Sequence, residues 1–275
     1  MALSLDTRVP LTDGTKMPAL GLGVWQAASG KETQRAVAAA LEAGYRLIDT
    51  AKLYGNEQDV GLAVRASKIP RDEIFITTKL WNTDHGYEAA LRAFERSRRE
   101  LDVGSIDLYL IHWPVPELRL ESWKALLQLK EKGLARSIGV SNYTIRHLEA
   151  LLASSPSPPS VNQVEFHPFL YQSDLLAFCR GRDIQLEAYS PLTRGHRLDH
   201  PVIRALAAEY GQTPAQVLIR WGLQHGLVVI PKSVRPERIR ENAQVFDFEL
   251  SRAAMARLDA LDEGSHVDWD PDDQP

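Results

Sequence analysis

The chain has 275 residues, of which 25% are charged and 44% hydrophobic, with a net charge of −4 and a pI near 6.1. That balance supports one large core, and its mild acidity argues against nucleic acid, whose phosphates call for a concentrated basic surface. No apolar run approaches the ~18 residues of a membrane span, the segment Met1 to Pro10 lacks a secretory-signal layout, and the lone Cys179 rules out an internal disulfide or a thiolate metal cluster, so the cytoplasm is the expected compartment.

Along the chain, Val9-Pro10-Leu11, Thr12-Asp13-Gly14-Thr15 and Met17 read as a small hairpin, because Asp-Gly supplies the positive φ of a tight turn. This segment, 1–19, precedes any repeat and is expected to cap one end of the fold. Residues 20–25 look like a first strand, whose Gly21 and Gly23 leave room for close backbone approach; Gly21-Leu22-Gly23 is too short a fragment for a dinucleotide fingerprint. An Ala-rich amphipathic helix over 32–42 stops at Ala43-Gly44. Apolar positions recur at helical spacing over 87–101 and 120–132, the latter ended by Gly133. Residues 154–159 read as a Ser/Pro-rich surface connection. Strands are expected at 161–165, 184–189 and 227–230, and helices at 202–210 and 213–224, with Thr213 as N-cap and Pro214 at the first helical position. The acidic, turn-rich end (264–275) is expected to be a loose tail. Eight strands mostly separated by helices need parallel crossovers, so the fold class predicted is α/β, a (β/α)8 TIM barrel with an N-terminal β-hairpin and extra helices near the C-terminus. No linker divides the chain, which reads as one domain, 1–275.

Several hydrophobic runs end on a residue able to do chemistry: Leu47-Ile48 on Asp49 with Tyr54 beyond, 74–78 on Lys79, 106–111 on His112, 137–140 on Ser141-Asn142, and 228–230 on Pro231-Lys232-Ser233. A parallel barrel gathers its strand ends around one mouth, so these groups can meet there. A phenol with a pKa near 10 is a poor acid at neutral pH unless a neighbour stabilises the phenolate. Lys79 could lower the pKa of Tyr54, Asp49 could hold Lys79, and His112 could hydrogen-bond a substrate oxygen. Such a site would give a proton to a carbonyl oxygen. Lys232, Ser233, Arg235 and Arg238, near a probable helix start, form a fork suited to a phosphate monoester. Trp25, Trp81 and Trp113 follow strand ends and would wall an apolar pocket, and Trp269 in the tail could close over it.

Three long patterns also resemble a known family. Gly44-Tyr45-Arg46-Leu47-Ile48-Asp49-Thr50-Ala51 with Tyr54-Gly55-Asn56-Glu57 and Val60-Gly61 resembles the first signature of the aldo-keto reductases. Ser137-Ile138-Gly139-Val140-Ser141-Asn142-Tyr143 resembles their second, and Ile230-Pro231-Lys232-Ser233 with Arg238 and Glu241-Asn242 their third. Residues 162–168 and Ala188-Tyr189-Ser190-Pro191-Leu192 also fit, so the similarity runs from about Val9 to about Leu261, and it is greatest to short bacterial members such as 2,5-diketo-D-gluconate reductases. The resemblance implies a catalytic tetrad of Asp49, Tyr54, Lys79 and His112, with Tyr54 as general acid in reduction. It also implies a nicotinamide held through Ser141, Asn142 and Gln163 and stacked on Tyr189, with Ser190, Leu192, Glu241 and Asn242 among the cofactor contacts. The phosphate fork favours NADPH/NADP+, with NADH as a secondary cofactor. A monomer is the expectation from the family.

Other residues have structural explanations. Glu165 and His167 read as structural, Cys179 as a buried thiol, and Trp123 and Trp221 as core. The remaining histidines show no ligand spacing, so no metal is expected. Lys52 would add positive charge if it faced the mouth, and Arg194, His196 and Arg197 make the connection after Tyr189 basic. Both point to a small polar or carboxylated carbonyl substrate, of the glyoxal or keto-sugar-acid type. Two rival functions use the same residues: a Schiff-base aldolase or lyase on Lys79, and a slow NADPH-binding sensor.

Overall fold

The computed structural model describes residues 3–155 and 157–271. Eight strands, β3 (Leu22–Gly23), β4 (Leu47–Asp49), β5 (Phe75–Leu80), β6 (Ile106–Ile111), β7 (Ala135–Ser141), β8 (Val161–Glu165), β9 (Gln185–Tyr189) and β10 (Val228–Val229), pair in chain order, every neighbour parallel. Parallel bridges Leu20↔Val229 and Gly23↔Lys232 join the two ends. Across that seam the Gly21 N–H donates to Val229 O and the Val229 N–H to Ala19 O, each at 2.9 Å. The barrel is thereby closed, as the alternation of strands and helices predicts. β3 and β10 are shorter than the runs at 20–25 and 227–230, because the residues flanking them meet only at these isolated bridges.

The hairpin consists of β1 (Arg8–Pro10) and β2 (Lys16–Pro18), turned at Gly14 with φ 85°. Leu11 and Met17 from it pack with Leu47, Phe75, Val161 and Val228, which open their strands. The hairpin therefore plugs the end of the barrel where the strands begin. Leu108, Leu110 and Ile230 complete this inner apolar cluster, and Asp49, Lys79, Ser141 and Gln163 lie beyond it, toward the strand C-termini.

Helices α1 (Lys31–Glu42), α2 (Glu57–Ala66), α3 (Tyr87–Leu101), α4 (Arg119–Glu131), α5 (Ile145–Ser154) and α6 (Ser173–Arg180) each make one crossover. Two helices, α7 (Pro201–Tyr210) and α8 (Pro214–Gln224), lie between β9 and β10, and α9 (Pro236–Ala243) and α10 (Arg252–Asp259) follow. At α8 the expected cap forms in full: the Gln216 N–H donates to Thr213 Oγ1 at 3.3 Å, and the Thr213 N–H donates back to Gln216 Oε1 at 2.9 Å. Helices α2, α5, α6 and α10, of eight to ten residues, lie outside the helical segments expected from the sequence. No helix among the described residues is long and apolar enough to cross a membrane.

The tail differs from expectation as far as it is described. The Ser265 N–H donates to Phe169 O at 3.0 Å, and the Val267 and Asp268 N–H groups donate to the Glu165 carboxylate at 2.7 and 3.0 Å. It is pinned rather than loose because a buried carboxylate takes up its backbone donors; residues 272–275 lie outside the described residues.

Packing around the strands is tight enough to test. A Cβ at Gly139 of β7 would lie 2.5 Å from Val161 O and 2.8 Å from Leu110 Cδ2, whereas one at Gly181 would lie 3.4 Å from its nearest neighbour. Gly139→Ala is expected to destabilise the fold by about 1–3 kcal/mol, seen as a lower denaturant midpoint, while Gly181→Ala stays near wild type.

Candidate active site

Tyr54 closes a 3-10 turn, Lys52–Tyr54, directly after β4. The turn is held by Asn56, which is fully buried: its Nδ2 donates to Val24 O at 3.0 Å, and its Oδ1 accepts the Thr50 hydroxyl at 2.7 Å. Asp49 ends β4, Lys79 sits near the end of β5, and His112 follows β6. The four residues expected to act together do converge.

Lys79 is completely buried, and its Nζ donates to Asp49 Oδ1 at 2.6 Å, Thr50 O at 2.9 Å and Tyr54 Oη at 3.2 Å. An ammonium has three donors and no acceptor. All three are used, so Tyr54 must accept from Lys79, and its own hydrogen is left free to point into the cavity. A buried cation without its anion would cost about 3–5 kcal/mol, which is why Asp49 is required beside it.

Burial foremost, then the charges of Asp49 and Asp268, push the Tyr54 pKa well above that of an ordinary phenol. This corrects the expectation that Lys79 would lower it. The ammonium is already neutralised by Asp49, so burial and the carboxylates prevail. Tyr54 is therefore a neutral phenol that carries its proton at physiological pH. His112 is pushed in the opposite sense, well below the usual histidine range, by burial and by the positive charge of Lys79. It is a neutral imidazole whose Nδ1 has no hydrogen-bond partner among the described residues.

Aromatic rings wall this corner. Trp25 lies 4.7 Å from Tyr54 between ring centroids, Trp81 5.2 Å from His112, and Trp113 5.7 Å from Trp269, so the tail does close over the opening. The cavity, about 880 Å³, continues past Tyr189, Ser190 and Leu192 to Lys232, Ser233, Arg238, Glu241 and Asn242.

Along its floor, Ser141, Asn142 and Gln163 are brought together and interlocked. Asn142, in the left-handed region at φ 62°, donates through Nδ2 to His112 O at 3.0 Å and accepts the Tyr189 hydroxyl at 2.9 Å. Ser141 Oγ donates to Gln163 O at 2.8 Å, and Gln163 Nε2 donates to Asp49 Oδ2 and Glu187 Oε2, both at 2.8 Å. Glu187, fully buried on β9, was passed over in the sequence; its only signal was an inward-facing carboxylate two residues before Tyr189.

Several charges expected at the mouth are engaged elsewhere. Lys52 pairs with Asp84, which also holds Arg96 at 2.7 Å. Arg194 pairs with Asp268; Arg197 pairs with Glu263 at 2.8 Å and lies 3.9 Å from the Phe169 ring centroid. Arg194 and Arg197 of the 190–200 connection are thus neutralised by acidic groups near the C-terminus, and neither is left as a free cation for a carboxylated substrate. In the phosphate fork, Arg235 pairs with Glu237 at 2.6 Å, while Lys232 and Arg238 make no ion pair among the described residues. Two cations rather than three remain for an anion. The Cys179 thiol is buried and pushed up to about 12 by that burial, an inert group.

The pair read as structural, Glu165 and His167, bond at 2.7 Å, and Glu165 is the carboxylate that clamps the tail. Burial pushes its pKa upward, but His167 and the amides of Val267 and Asp268 outweigh this and hold it below the usual range. A carboxylate so lowered adds stability above its ordinary pKa and loses it as pH falls. Glu165→Ala is expected to speed hydrogen exchange at Val267 and Asp268, compared with wild type at the same pH, by at least about tenfold. Unchanged exchange at both amides would count against the clamp.

The family model described as "Aldo/keto reductase family" matches residues 19–263. The chain is 48% identical over 273 residues to a glyoxal reductase of Bacillus subtilis, with 99% of each chain covered. It is also 48% identical over 270 residues to the methylglyoxal reductase DkgA of Escherichia coli, covering 97% of each. Among solved structures, a variant of Gox0644 in complex with NADPH superposes with a TM-score of 0.93 at 43% identity, covering 98% of both chains. With a fold, a strand-end tetrad and full-length relatives in agreement, the chain belongs to the aldo/keto reductase family.

Proposed function

We propose that this protein reduces a small aldehyde or ketone to the alcohol with NADPH, Tyr54 supplying the proton. The observation that carries the reading is the saturated ammonium of Lys79, which makes Tyr54 an acceptor on its inner side and leaves its O–H for a substrate oxygen in the cavity. His112, uncharged, orients that oxygen by donating from the ring nitrogen on the cavity side. Asp49 keeps Lys79 charged and in place. Together they hold a carbonyl oxygen between two neutral donors, where charge developing on it is stabilised.

The residues present fit the cofactor. The cavity runs from the tetrad to Lys232 and Arg238, and its chemistry changes along the way from aromatic to cationic, as a nicotinamide with a distant 2′-phosphate requires. Tyr189 offers a ring face for the nicotinamide, and Gln163 and Asn142 offer amide oxygens to its carboxamide. Ser190 and Leu192 line the middle, Lys232, Ser233 and Arg238 hold the 2′-phosphate, and Glu241 and Asn242 the adenine. When bound, the nicotinamide supplies the hydride. The solved relative in complex with NADPH supports this assignment.

Trp25, Trp81, Trp113 and Trp269 shed water from the reacting carbon. With Lys52, Arg194 and Arg197 all paired, a small neutral carbonyl of the glyoxal type suits the pocket better than a keto-sugar acid, in keeping with the names of the two bacterial relatives. A Schiff base on Lys79 is disfavoured by its burial and by its three hydrogen bonds, which leave no lone pair for attack.

Two measurements test the reading. Tyr54→Phe is expected to lower kcat for methylglyoxal by about 10²–10⁴-fold while leaving the NADPH dissociation constant nearly unchanged; full turnover in that variant would overturn the mechanism. Replacing Lys232 and Arg238 together by Ala is expected to raise KM for NADPH by more than about tenfold, with little change for NADH. Equal losses with both cofactors would remove the phosphate assignment.

A further inference from the structure

Glu187 belongs to no role described so far, yet it lies directly beneath the reacting groups. Its side chain points into the barrel with no exposed surface. One hydrogen of Gln163 Nε2 goes to Glu187 Oε2 and the other to Asp49 Oδ2, each at 2.8 Å, while Glu187 Oε1 has no partner among the described residues. Two carboxyl groups from β4 and β9 thus converge on a single NH2 group from β8. The cation that faces them, Lys79 from β5, contacts Asp49 at 2.6 Å. The other ionisable neighbour is Tyr54, and the strand partner on the far side of Glu187, Val228 of β10, is apolar.

Two negative charges held this close in a dry interior with one cation do not both persist. Lys79 selects Asp49 as the anion, against the upward push of burial. The proton then rests on Glu187, whose carboxyl is pushed up to about 8 by burial and by the charge of Asp49.

We infer that Glu187 is a positioning residue of the reductase site, a protonated carboxyl that turns the Gln163 amide so that its nitrogen faces inward and its oxygen faces the cofactor. An amide is nearly symmetric in shape, and among the described residues only Glu187 and Asp49 bond Gln163 Nε2 and so distinguish its two ends. With both hydrogens drawn to carboxyl groups, Oε1 alone is left to accept from a carboxamide NH2. Loss of the proton from Glu187 places a second negative charge near Tyr54, which raises its pKa further and makes it a weaker acid. Glu187 therefore couples alkaline pH to loss of reduction without touching substrate. This rests on the reductase reading above.

The test compares Glu187→Leu with Glu187→Gln, which cannot ionise but keeps an oxygen for Gln163. The Leu variant is expected to raise the NADPH dissociation constant, read by fluorescence in the absence of substrate, by about tenfold, and the Gln variant to restore most of that loss. In the cofactor-free protein, the infrared band of a protonated carboxyl is expected at pH 7, to fade as pH passes about 8, and to be missing in Glu187→Gln. The alkaline limb of kcat should move to higher pH in Glu187→Gln. Wild-type NADPH affinity in the Leu variant, or an identical infrared band and pH profile in the Gln variant, overturns the inference; if the Leu variant fails to fold, the Gln variant decides it alone. A wild-type protein that fails to oxidise NADPH with any aldehyde or ketone offered would instead sink the reductase reading and leave the infrared result standing.

Discussion

One buried ammonium organises the site. Lys79 sits where water cannot reach it, and a charge in such a place persists only with an anion and a full set of acceptors around it. Asp49, Thr50 O and Tyr54 Oη provide that set, each from a different point on β4 or the turn after it. The direction of the third bond is what matters for chemistry. Because Lys79 can only donate, the phenol is fixed as an acceptor on one side and a donor on the other, before any ligand arrives. Burial then keeps both Tyr54 and His112 uncharged, one by raising and the other by lowering its pKa, so two neutral hydrogen-bond donors face a cavity walled by indoles.

The rest of the fold serves to hold that arrangement still. The seam between β3 and β10 closes the barrel and brings the ends of distant strands together, and the hairpin seals the opposite end with Leu11 and Met17. Tight glycine contacts such as Gly139 against Val161 O keep neighbouring strands close. At the mouth, Glu165 gathers the backbone of the tail and sets Trp269 against Trp113. A residue with no direct part in the chemistry thus shapes the pocket in which it occurs.

Much of this was legible in the chain itself, for a definite reason. A barrel strand buried on both faces reads as a short apolar run, and the residue just past it lies at the mouth, so Asp49, Lys79 and His112 announce their positions. Partnerships across the fold left no such trace. Lys52, Arg194 and Arg197 look like free cations in sequence, because Asp84, Asp268 and Glu263, which neutralise them, lie 32 to 74 positions away. The clamp on the tail joins Glu165 to a residue 103 positions distant. The sign of the Tyr54 shift was also hidden, since it depends on how deeply the hydroxyl is buried and on Asp268, a carboxylate from the far end of the chain.

The hydrogen on Tyr54 is the point on which the chemistry turns, and neutron diffraction of a deuterium-exchanged crystal would locate it. Three deuterons on Lys79 Nζ, one of them aimed at Tyr54 Oη, and a phenolic deuteron directed into the cavity are the expected result. A neutral Lys79 accepting the phenolic deuteron, or a Tyr54 without one at neutral pH, would contradict it.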